Sequence, residues 1–274
     1  MLTRILTAVV AVAIMIPILY YSATPVFTVF LCFISAIAVY EMLGVLGTRK
    51  KWFVSVPMML AGICFPAYAR HGGGTDRFFR FVFLISLVII IWNLSCATFS
   101  RGRISLESVA LTATMTIYIT FGISSIALLR DMENGKYVYL LAFLLPWMSD
   151  TFAYFIGVLF GKHKLIPDVS PKKSVEGCIA GIIGSGLSAV VYGVIVNGIY
   201  HINATHLELF AVGMIVSVLA QIGDLIASVI KRRFNVKDYG KILPGHGGIM
   251  DRFDSILLAA PALYFALDLF HPFI

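Results

Sequence analysis

About nine apolar runs, most close to the ~20 residues that cross a bilayer's hydrocarbon, follow one another with only short polar breaks. They are 5–22, 25–46, 52–69, 79–98, 106–129, 137–160, 175–200, 205–230 and 254–271. Breakers such as Thr24-Pro25, Gly72-Gly73-Gly74 and Ser100-Arg101-Gly102 stand between them. Only 13% of residues are charged and 59% are hydrophobic, whereas soluble domains hold about a quarter charged. Mean hydropathy is +0.93. The pattern predicts an all-α polytopic membrane helical bundle of about nine transmembrane helices. The first run, behind Arg4, has the look of a signal peptide, but equally apolar runs follow it and the chain never turns soluble.

Charge sets the expected orientation. Of 21 Lys and Arg, 16 fall in segments on the same side as the N-terminus and five on the other, which by the positive-inside rule places the N-terminus in the cytoplasm and the C-terminus outside. The net charge of +7 therefore fits loop retention and lipid or nucleotide phosphates, with no nucleic acid as partner. Cys32, Cys64, Cys96 and Cys178 form no CxxC pair and are expected to be buried small hydrophobes. Glu41, late in an apolar run, suits a functional carboxylate and equally a helix end facing headgroups.

The chemistry is expected in the two most basic loops, both late in the chain and on one side. An aspartate at membrane depth, Asp224, needs a partner or a wet cavity. Asp224, Ser228 and Lys231 share a helical face, and Lys231 and Arg232 reach the interface. Read structurally, the same face is an intrahelical pair or interhelical glue. The following loop brings Lys237 and Asp238, then His246-Gly247-Gly248, whose successive amides suit phosphate oxygens. Asp251, Arg252 and Asp254 come next, and the two aspartates point one way if the ninth helix starts there. Hard oxygen ligands beside cations are what a magnesium-bound polyphosphate requires.

The stretch Ser228–Asp254 resembles the phosphatidate cytidylyltransferases (CDP-diacylglycerol synthases). It shares their Ser-x-x-Lys-Arg opening, Lys-Asp pair and His-Gly-Gly-x-x-Asp-Arg-x-Asp close. Asp150-Thr151-Phe152-Ala153-Tyr154 and Ser170-Pro171-Lys172-Lys173-Ser174-Val175-Glu176-Gly177 resemble two further elements of that family. Pro171 after Ser170 also suits a helix start, whose free amides favour an anion. Residues 1–135 match only as apolar helices.

The resemblance implies cytidylyl transfer from CTP to phosphatidate, giving CDP-diacylglycerol and pyrophosphate in phospholipid biosynthesis. It implies Asp224, Asp251 and Asp254 as ligands of Mg2+, with Asp238 in support and room for a second cation. Lys173 joins the three aspartates as catalytic. Substrate contacts fall to Asp150, Ser170, Lys172, Ser174, Ser228, Lys231, Arg232, Lys237, Asp238, His246, Gly247, Gly248 and Arg252. Residues 136–274 form the expected catalytic region, and 1–135 serve packing, lipid entry or contacts of a homodimer. The expected location is the cytoplasmic (inner) membrane, with the site at its cytoplasmic face. The rivals are a CTP-dependent polyprenol-type lipid kinase, the same transfer to an isoprenoid-ether phosphatidate and, from another class, an ion-coupled transporter.

Overall fold

A computed structural model describes residues 2–273. Its long helices are α1 (Leu2–Tyr20), α2 (Pro25–Val45), α3 (Trp52–His71), α4 (Thr75–Phe99) and α5 (Leu106–Asp131). A short α6 (Gly135–Val138) precedes α7 (Leu141–Phe160); strands β1 (Lys164–Ile166) and β2 (Ser170–Ser174) lead into α8 (Val175–Tyr200) and α9 (His206–Arg233). A short α10 (Met250–Phe253) and then α11 (Ile256–Phe270) close the chain. Among the described residues, eight segments are long and apolar enough to cross a membrane. The fold is an all-α polytopic bundle. The run 5–22 folds as α1, although the side chain of Arg4 lies outside the described residues.

The chain divides into two compact units, Met1–Leu128 with Arg233–Phe253, and Leu129–Arg232 with Asp254–Ile274. In the first, α2 begins with Pro25 in its opening turn, where a missing amide costs nothing. Its residues Phe27, Leu31, Ile34, Ala38 and Met42 recur at helical spacing and are buried. Helix α3 approaches closely at Gly62, where a Cβ would stand 3.1 Å from the Ala36 Cα. Thr48 and Thr112 share a buried 3.1 Å hydrogen bond that ties the end of α2 to α5. By contrast α4 buries only Phe78, Ile89 and Asn93, leaving Phe83, Leu84, Val88 and Ile91 outward as a lipid-facing surface.

In the second unit α8 lies against α7 through its glycines. A Cβ at Gly177 would sit 2.6 Å from the Ala153 carbonyl, and one at Gly181 would sit 2.8 Å from that of Ser149. These two glycines therefore serve close helix packing. Polar side chains bind α7, α8 and α9 together: Ser149 and Ser217 hydroxyls lie 2.7 Å apart, and the Gln221 amide donates to the Cys178 carbonyl at 3.1 Å.

Three expectations are corrected. Ser170–Ser174 is a strand paired antiparallel with β1, so Pro171 does not open a helix; α8 starts at Val175 behind Ser174. The last span is divided by a turn at residues 254–255, so Asp251 and Asp254 do not share one continuous helix start. The cysteines are free, but Cys32, Cys96 and Cys178 are half-buried and Cys64 is exposed. A small thiol is at home against lipid as well as inside protein.

Candidate active site

Each unit carries its own set of charged groups. In the second unit, Lys173 on β2 forms an ion pair with Asp224 on α9, and both side chains are about three-quarters buried, at 23% and 26% exposure. Lys173 lies on β2 next to Ser174, whose partner across the hairpin is Lys164. Asp150 on α7 is exposed and lies within Coulombic reach of both Lys173 and Asp224. Asp254, buried at the turn before α11, lies within Coulombic reach of Asp224 and Lys231. It also accepts the Ser255 amide at 2.8 Å.

Around this core the hydroxyl oxygen of Ser174 caps α8 by accepting the Gly177 amide at 3.2 Å. Arg232 reaches back to the Val169 carbonyl at 3.4 Å, bracing the hairpin. Ser228 is half-buried one turn beyond Asp224, while Ser170 and Lys172 lie on β2, with Lys172 exposed. Asp224 is answered by a cation from another element, Lys173 on β2.

In the first unit the loop before α10 is folded around two carboxylates. Leu243 donates to the Gly247 carbonyl and His246 to that of Leu243, both at 2.9 Å, which closes a tight turn. The turn needs positive φ at Gly245 (79°) and Gly247 (85°). Oδ2 of Asp251 accepts the amides of Tyr239 at 2.8 Å and Gly248 at 3.0 Å. Lys237, Asp238, His246, Gly247 and Arg252 line a cavity of about 660 Å³, within the range of ordinary small-ligand sites. His246 Nδ1 is buried there with no hydrogen-bond partner among the described residues.

Glu41 is the residue the sequence left undecided between function and headgroup contact. It is 4% exposed and accepts the amides of Ile249 at 3.2 Å and Met250 at 2.9 Å. Its only sequence signal is an acid in an otherwise apolar run; nothing local links residue 41 to residue 249.

Among the described residues no group of three or more His, Cys, Asp or Glu is placed to hold a metal ion. Magnesium is commonly held by one or two carboxylates with the remaining ligands from water and substrate phosphates. In the second unit Asp224 and Asp254 are two carboxylates within Coulombic reach of one another.

Among the described residues, eight helices long and apolar enough to cross a membrane, with the Lys173–Asp224 pair in one unit and a cavity lined by Lys237, Lys241 and Arg252 in the other, mark a multi-pass membrane protein equipped for phosphate chemistry. A family profile described as "Cytidylyltransferase family" matches residues 2–270, and the chain belongs to that family. It is similar to the phosphatidate cytidylyltransferase of Staphylococcus aureus (strain COL), with 36% identity over 265 residues, covering 96% of this chain and 97% of that one. The proteins of the same name from Staphylococcus saprophyticus and Staphylococcus epidermidis (strain RP62A) are 35% identical over the same shares.

Proposed function

We propose that this chain transfers the cytidylyl group of CTP to phosphatidate, giving CDP-diacylglycerol and pyrophosphate. The observation that carries this reading is the 36% identity to a phosphatidate cytidylyltransferase across 96% of the chain. The two sets of charged groups support it, because the reaction asks for positioning and charge neutralisation more than for acids and bases.

A phosphatidate phosphate oxygen, already ionised at neutral pH, attacks the α-phosphorus of CTP. The bond from that phosphorus to the bridging oxygen breaks, and pyrophosphate leaves with the electron pair. Lys173, Lys231 and Arg232 contact phosphate oxygens, and Lys237, Arg252 and the His246-Gly247-Gly248 backbone bind the nucleotide, with Asp238 in support. Ser170, Lys172, Ser174, Ser228 and Asp150 complete the substrate contacts. Asp224 and Asp254, of the second unit, would hold the cation, Mg2+, which would neutralise charge on the triphosphate, while Asp251, the other expected ligand, shapes the loop of its own unit. Residues 136–274 carry the chemistry; the site faces the cytoplasm in the inner membrane, and the protein works as a homodimer.

Purified protein in detergent, given labelled CTP, phosphatidate and magnesium, should move the label into the lipid fraction and release pyrophosphate. Chelation of the magnesium should stop this, and its return should restore it. Release of CDP in place of pyrophosphate would overturn the assignment in favour of a lipid kinase.

A further inference from the structure

We propose that Glu41, on α2, is a positioning residue that fixes the nucleotide-binding loop of its own unit; this rests on the function proposed above. Burying a carboxylate is costly unless hydrogen bonds replace its water. Here each oxygen of Glu41 takes one backbone amide, Oε1 from Ile249 and Oε2 from Met250. The loop also closes over the carboxylate at Gly240 and Gly248, where a Cβ would overlap the Glu41 oxygens. Both positions are glycine for a steric reason at residue 41, about 200 residues away in the chain.

The carboxylate of Asp251 gathers Tyr239 and Gly248 in the same way. Two acids thus pin the loop at residues 239, 248, 249 and 250. Between those pins stand His246 and Gly247, which line the 660 Å³ cavity with Lys237, Lys241 and Arg252. Glu41 lies outside that lining and acts on CTP through the placement of the loop.

The test uses the full chain in detergent, with equilibrium dialysis of labelled CTP and steady-state turnover on the same preparations. Glu41→Gln keeps the side-chain volume but has one acceptor oxygen, and its NH2 group faces an amide N–H. CTP binding should weaken about tenfold in this variant, the effect of one lost charge-assisted hydrogen bond. KM for phosphatidate should stay unchanged, and Glu41→Asp should recover part of the loss. A merely structural role would reduce the fraction of active protein and kcat while leaving CTP affinity as it was. Wild-type CTP affinity in Glu41→Gln would overturn the proposal, whether or not Glu41→Ala folds. Wild-type protein that binds CTP but makes no CDP-diacylglycerol would sink the reaction and leave the loop proposal standing.

Discussion

In the unit that holds α7, α8 and α9, Asp224 is answered by a side-chain cation, Lys173. In the unit that holds α2 and α10, Glu41 and Asp251 are answered by four backbone amides. The two solutions differ in what they permit. A lysine can turn toward another anion and leave the carboxylate to a cation, whereas an amide is fixed once the loop is folded. Carboxylates of the first kind suit exchange with a charged ligand. Those of the second kind suit holding a shape. The chemistry of substrate binding is therefore expected to fall most heavily on Asp224 and Lys173.

Asp224→Ala gives the largest expected effect, a loss of turnover of about a thousandfold or more, with membrane insertion and the detergent elution profile unchanged. Lys173→Met alone leaves an unanswered buried carboxylate and should destabilise the unit. Lys173→Met combined with Asp224→Asn removes both charges and should recover the thermal midpoint without recovering activity. Turnover near the wild-type rate in Asp224→Ala would remove the distinction between the two kinds of carboxylate.

The loop of the other unit should respond through its backbone. Gly247 has φ +85°, and a Cβ there would stand 2.9 Å from Oδ2 of Asp251. Gly247→Ala should raise the KM for CTP about tenfold, from the ~1–2 kcal/mol cost of a left-handed alanine and the displaced carboxylate. Gly198→Ala is the matching control, because a Cβ there meets nothing within 4 Å. Equal KM values in the two variants would show that the turn does not shape the nucleotide site.

The spans were legible because hydropathy reports burial in lipid directly, and the run 175–200 coincides with α8. The breaks were less so. Residues 164–174 show no strand signature, since a three-residue strand paired with a five-residue strand leaves no periodicity to read. The Lys173–Asp224 pair and the Glu41 amide contacts link residues about 50 and about 200 positions apart, and no local pattern encodes such pairings. The charged residues themselves stood out because each is expensive in an apolar run, which marked positions but not partners.

Gln221 offers a smaller test, on a polar group that is neither kind of carboxylate. Its amide donates to the Cys178 carbonyl at 3.1 Å and to the hydroxyls of Ser149 and Ser217 at 3.3 Å, one turn before Asp224. Gln221→Leu should cost about 1 kcal/mol of stability, in line with interhelical hydrogen bonds in membranes, read as a lower thermal midpoint. The KM for CTP should not move. A change in KM with an unchanged midpoint would place Gln221 among the substrate contacts.

The smallest effect is expected where a carboxylate has a side-chain cation but little burial. Arg233 at the end of α9 donates to Glu107 on α5 at 3.0 Å, and the two side chains are 67% and 57% exposed. In water or at a headgroup surface such a pair is screened, and both long side chains lose freedom when they meet. Glu107→Gln should therefore change stability by no more than about 0.5 kcal/mol and leave turnover as it was. Lys173 with Asp224 is also a cation–carboxylate pair, but at 23% and 26% exposure it is far more buried, and that difference is what turns an ion pair into a site. If Glu107→Gln cut turnover as deeply as Asp224→Ala, burial would lose that role, and the exposed Arg233–Glu107 pair would have to count as part of the machinery.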